Sequence, residues 1–141
     1  MTDLQKARSL LAEGIHTCVL CRGEEIHTSQ ARGVRPLVRW LTFGPNLAGF
    51  SAADKVVGKA TAYLYCLLQV KAVHAQVMSG AAAEVLHKNG IDVTQDKLVE
   101  NIINRADDGI CPFEAAVWDI HTPEEALPAI RKKMAEMNIA L

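Results

Sequence analysis

Residues 72–94, AVHAQVMSGAAAEVLHKNGIDVT, decide the fold. Ala72–Met78 reads as a central strand: it is β-prone and carries apolar residues on both parities, as a strand buried on two faces must. Ser79 then offers a hydroxyl to cap a helix over 80–88, and Asn89-Gly90 supplies its stop before a second run, Ile91–Thr94. Strand, helix and strand in that order make a crossover unit, with parallel strands and right-handed chirality. The class is therefore α/β.

Working outward, Thr2-x-x-Gln5 is a capping-box pattern that predicts a helix over 3–13, with Leu4, Ala7 and Leu11 on one apolar face and Gly14 as its stop. Ile15–Cys21 and Glu24–Thr28 are β-prone runs separated by Arg22-Gly23, which predicts a hairpin whose polar second strand lies at an edge. The loop SQARGVRP leads to Pro36, which opens a short helix through Phe43, and GPNLAG connects onward. Ser51-x-x-Asp54 is another capping-box pattern. It predicts a long buried helix over 51–70, in which the small Gly58, Ala60 and Ala62 let a sheet approach.

Downstream, Asp96–Arg105 predicts a helix through Leu98, Val99, Ile102 and Ile103, with a strand start at Lys97–Val99 as the alternative. Residues 106–109 form a loop. Pro112 opens a helix over 112–119, and Thr122-Pro123-Glu124-Glu125 starts a final helix that ends near Met137. Together these elements predict one domain over residues 1–141, a three-layer α/β/α sandwich on a mixed sheet.

Bulk properties narrow the function. Of 141 residues half are hydrophobic and only 5% aromatic; 15 Lys and Arg against 16 Asp and Glu leave a net charge of −1. No global field recruits nucleic acid or an anionic membrane. The longest uncharged apolar stretch, Ala60–Val70, is about half of the roughly 20 residues that a spanning helix needs. The opening MTDLQKARSLLAEG lacks the basic and apolar regions of a signal peptide, so a cytoplasmic location is expected. The four cysteines, Cys18, Cys21, Cys66 and Cys111, are too scattered for a disulfide framework. Cys18 and Cys21 have CxxC spacing but sit in a predicted strand, where residues three apart point to opposite faces.

The order of elements and the segments GVRP, ADKVVGKA, HKNGIDV and CPFEAAV resemble a prokaryotic family of unknown function with a cytidine-deaminase-like fold. The resemblance covers nearly the whole chain. It implies the deaminase architecture, in which zinc ligands stand at the N-termini of two helices that meet at the carboxyl ends of the strands. Deaminases open the first helix with His/Cys-x-Glu, where this chain is expected to have Ala52, Ala53, Asp54 and Lys55. They open the second with Pro-Cys-x-x-Cys, where this chain has Ser79, Gly80, Ala81, Ala82 and Ala83. Zinc-dependent deamination is therefore expected to be absent, and no metal or other cofactor is expected. His74-Ala75-Gln76 falls in a predicted strand and carries Gln where the proton-shuttling Glu belongs.

Three functional readings remain. The first is binding of a nucleotide or other phosphorylated small molecule near residues 52–59 and 79–83. Helix N-termini favour anions there, with Asp54, Lys55, Lys59 and Ser79 at the site and Arg32, Arg35 and Arg105 reaching in from loops. The plainer alternative makes Lys55 and Lys59 a solvated face and Asp54 only a cap. The second reading is a non-metal enzyme with Cys111 or Lys55 as nucleophile, with His74, His87 and His121 as the bases at hand; a buried structural Cys111 is the alternative. The third is a structural or assembly protein that forms a homo-oligomer. Trp40, Phe43, Tyr63, Tyr65 and Trp118 are too dispersed for a base-stacking platform.

Overall fold

A computed structural model of the chain describes residues 1–104, 106 and 109–141. The strands are β1 Cys18–Arg22, β2 Glu25–Ser29, β3 Ser51–Val57, β4 Ala72–Ser79 and β5 Asp92–Val99. The helices are α1 Asp3–Ala12, α2 Arg35–Phe43, α3 Lys59–Leu68, α4 Gly80–Lys88, α5 Pro112–Ala116 and α6 Pro123–Glu136. The strands form one mixed sheet in the order β2-β1-β3-β4-β5. β1 runs antiparallel to both of its neighbours, while β3, β4 and β5 are parallel. Hence β2 runs in the same direction as β3, β4 and β5, and all four carboxyl ends open on one edge of the sheet. No helix among the described residues is long and apolar enough to cross a membrane.

The β4-α4-β5 unit forms as the sequence predicts, and the Ser79 hydroxyl accepts the Ala82 N–H at 3.1 Å. The capping box of α1 is complete, with Thr2 and Gln5 bonded reciprocally. On one face of the sheet, α1 packs Ala7 and Leu11 onto Val19, Cys21 and Ala53. The opposite face carries the larger core, where Leu37 of α2, Leu64 of α3, Leu86 of α4 and Ile130 of α6 close over Leu20, Ala52 and Val73. Cys18 belongs to this second cluster and Cys21 to the first, as strand alternation requires.

Four expectations are corrected. Ser51–Val57 is a strand, not the first turns of a helix; it lies at the centre of the sheet between β1 and β4. Its apparent capping box is a coincidence of spacing, and burial on two faces suits the small Ala52 and Ala53 between α1 and the main core. The predicted helix over 96–105 does not form over its described residues, 96–104. β5 instead runs on to Val99 through the Lys97–Val99 alternative, paired with β4, and Ile103 bridges to Ile110; Arg105 lies outside the described residues. The hairpin turn falls at Gly23-Glu24, one residue later than predicted, where Gly23 takes a φ of 60°. The helix predicted over 112–119 stops at Ala116.

The true start of α3 is held from outside. Glu114 is buried, and its carboxylate accepts the backbone N–H groups of Lys59 at 2.7 Å and Ala60 at 2.9 Å. Gly58 is the N-cap, and a Cβ there would collide with that carboxylate. Two further bonds fasten the same region: Lys59 Nζ donates to the Trp118 carbonyl at 3.1 Å, and the Tyr63 hydroxyl donates to the Ile120 carbonyl at 2.8 Å. ADKVVGKA and CPFEAAV are thus the two halves of one contact. Glu114→Ala is expected to cost about 1–3 kcal/mol by leaving buried donors unpaired, and Gly58→Ala a similar 1–3 kcal/mol by overpacking. In urea unfolding the double variant should lose less than the sum, because removing the carboxylate removes the collision; strict additivity would contradict this contact.

Candidate functional site

Asp54 and Lys55 are neighbours on β3, so they face opposite sides of the sheet and cannot form one ligand site. The Tyr65 hydroxyl, on α3, donates to Asp54 Oδ2 at 2.7 Å, and Cys18 Sγ lies 3.1 Å from the same hydroxyl. With the tyrosine proton committed to the carboxylate, the thiol is the donor to its oxygen. Burial pushes the Asp54 carboxyl up to about 6, against the opposing effect of the Tyr65 hydrogen bond. Burial likewise raises the Tyr65 hydroxyl and the Cys18 thiol well above their ordinary values, and the Asp54 charge adds to both shifts. Lys55 is half-buried on the α1 side, with its backbone N–H bonded to Thr17.

The helix start predicted at residues 52–55 lies inside β3, and the helix that does begin nearby, α3, has its N-terminus filled by an internal carboxylate. The dipole and free N–H groups of α3 receive the Glu114 carboxylate, and Lys59 is spent on Trp118 and the face of Tyr63. Ser79 is buried as the cap of α4. Cys111 is the half-buried N-cap of α5, and among the described residues no hydrogen bond joins it to His74, His87 or His121.

Arg32 and Arg35 are brought together. The loop after β2 leaves the sheet at its carboxyl edge, because Ser29 stands in one cross-strand row with Cys18, Asp54, Ala75 and Gln95. The Thr17 hydroxyl bonds the carbonyls of Ser29 and Ala31 at 3.0 and 2.6 Å, and Ser29 Oγ accepts the Ala31 N–H at 3.0 Å. Gly33 turns the chain with a φ of 66°, and buried Val34 anchors it. A cleft of about 330 Å³ results, lined by Gln30, Arg32, Val34, Arg35, Phe113 and Ile139. Neither guanidinium has an ion-pair or hydrogen-bond partner among the described residues, and no carboxylate lines the cleft. Sequence reasoning found both arginines but missed Phe113, whose signal was its place beside the buried Glu114.

Residues 6–134 match the protein family described as a domain of unknown function, DUF1893. The chain belongs to the DUF1893 family. A DUF1893 family protein (TM1506) from Thermotoga maritima, known from a crystal structure, is similar to it with a TM-score of 0.85 and 25% identity, over 94% of this chain and 91% of that chain. None of the curated proteins matches.

In this DUF1893 chain the buried carboxyl leaves a thermodynamic trace. Asp54 titrates near 3.8 when unfolded and near 6 when folded. Between these values the folded state holds a proton that the unfolded chain has released, so stability is higher below about pH 4 and falls as pH rises to about 6. The contribution is about 3 kcal/mol. Asp54→Asn is expected to remove this decline, read as the difference between variant and parent in urea unfolding from pH 4 to pH 7. Parallel pH profiles would mean that another group carries it.

Proposed function

We propose that this protein is a cytidine-deaminase-like scaffold without zinc chemistry, and that it binds a nucleotide or other phosphorylated small molecule in the cleft of Arg32 and Arg35. The observation that carries the reading is that Arg32 and Arg35, neither with a partner among the described residues, line one cleft with Phe113 at the carboxyl edge of the sheet. A guanidinium fork matches phosphate oxygens in pairs, and Phe113, Val34 and Ile139 offer apolar surface to a base or sugar. The volume lies within the range of small-molecule sites, and the carboxyl edge of parallel strands is where open α/β sheets receive ligands.

The reading without zinc is supported by the residues at the two helix starts. α3 opens with Gly58, Lys59, Ala60 and Thr61 and α4 with Ser79–Ala83, none of which is a soft ligand. The enzymatic alternative through Cys111 or Lys55 has no hydrogen-bonded base beside either side chain among the described residues, and the assembly alternative has no specific observation in its favour.

Calorimetric titration with nucleoside mono- and diphosphates is expected to give saturable binding that the unphosphorylated nucleosides do not reproduce. Arg32→Ala and Arg35→Ala should each weaken it at least tenfold, about 1.4 kcal/mol. Lys55→Ala, on the other face of the sheet, should leave affinity within about twofold, well under 1.4 kcal/mol. The proposal is lost if no phosphorylated compound saturates, or if both arginine variants bind as the parent does.

A further inference from the structure

A second cavity, of about 350 Å³, lies on the opposite face of the sheet and is built from different residues. α1 packs on β1 and β3 and reaches the near side of β4. Beyond it the strands present polar side chains: His74 stands in register with Ala53 on the α1 face, Thr94 is its partner on β5, and Gln76 and Asp96 follow along the same face. Parallel strands are ordinarily covered by apolar layers on both faces. Here the uncovered strip is lined with groups suited to a polar occupant.

The floor is His74, which is 4% exposed. Its Nε2 lies 3.3 Å from Asp96 Oδ1 and its Nδ1 lies 2.7 Å from the Thr94 hydroxyl. Burial, helped by the Arg8 charge, holds the imidazole below its usual pKa despite Asp96, so the ring is neutral at pH 7. A carboxylate only accepts, so Nε2 carries the hydrogen and Nδ1 accepts from Thr94. Thr94 and His74 thereby fix one oxygen of Asp96, whose side chain is 58% exposed and keeps the other oxygen available. Across the cavity, α1 contributes Arg8, with Ser9 and Gln5 beside it. Arg8 and Asp96 line the same space without pairing with each other, and Arg8 has no ion-pair partner among the described residues.

A ligand of one sign would be attracted by one wall and repelled by the other, whereas a ligand carrying both signs satisfies both. We propose that this groove binds a small zwitterion of the α-amino acid class, with its carboxylate on Arg8, its ammonium on Asp96, and His74 as the positioning residue that aims Asp96. The site is independent of the phosphate cleft, which lies on the α3 side of the sheet.

The test is a titration of the full chain with the proteinogenic L-amino acids, followed by calorimetry and amide NMR shifts. For each one that binds, the matching amine without carboxylate and acid without amine are titrated as well. Saturable binding is expected for at least one amino acid, with shifts centred on Ser9, His74 and Gln76. Each single-charge analogue should bind at least tenfold more weakly. Arg8→Gln and Asp96→Asn, both at exposed positions, should each lower affinity at least tenfold, Arg8→Lys by less, and Arg32→Ala not at all. The proposal is overturned if no amino acid saturates, if both charge variants bind like the parent, or if either single-charge analogue binds as tightly as the zwitterion.

Discussion

The contact between the Glu114 carboxylate and the first N–H groups of α3 is the constraint on which the junction of β3, α3 and α5 depends. A helix N-terminus attracts negative charge because its leading N–H groups lack partners and its dipole points positive. In this chain the attraction is satisfied internally, by a residue more than fifty positions away, and the satisfied carboxylate needs the space that Gly58 leaves. The contact marks where β3 ends and α3 begins. It also sets Phe113, the residue before Glu114, against the loop that carries Arg32 and Arg35. The helix start is thus occupied from within, while Arg32 and Arg35 line a separate cleft beside Phe113.

The sheet separates two polar systems of different character. On the α3 side, Cys18, Tyr65 and Asp54 form a chain of hydrogen bonds closed off from water. A carboxylate buried this way is costly to ionise, and one strong hydroxyl bond offsets only part of that cost. On the α1 side, His74 is buried beside an exposed partner, Asp96, and burial holds the imidazole below its usual pKa, so the ring stays neutral. Adjacent cross-strand pairs, Ala53 with His74 and Asp54 with Ala75, send these two systems to opposite faces. Strand alternation alone keeps them apart.

The legibility of the sequence follows from how local each signal was. The β4-α4-β5 unit was readable because the hydrophobic period changes at Ser79 and again at Asn89-Gly90, signals contained within a few residues. β3 was misread because Ala52 and Ala53 favour helix intrinsically, and only their position between two packed layers makes them strand. β5 was cut short because Asp96 and Lys97 look like a helix surface, and edge exposure, which sequence does not display, is what permits them in a strand. Arg32 and Arg35 were found because a glycine-containing loop advertises them. The groove of Arg8, His74 and Asp96 was invisible, since its residues come from one helix and two strands far apart in sequence.

The exposed β5 edge raises the question of why the sheet is not extended by another strand. An edge with free N–H and C=O groups invites pairing, and charged side chains along it oppose that pairing. Asp96 and Lys97 place opposite charges side by side at the exposed middle of β5. A strand added there would have to cover both in a hydrogen-bonded ladder, with no partner charge guaranteed. Asp96 is also the carboxylate that His74 holds toward the α1 groove. One residue thus opposes pairing along the edge and supplies the negative wall of the cavity, so the polarity of the groove is tied to the edge strand. An apolar residue at position 96 would remove both functions together: it would strip His74 Nε2 of its acceptor and leave the long edge strand without its outward charge on that face.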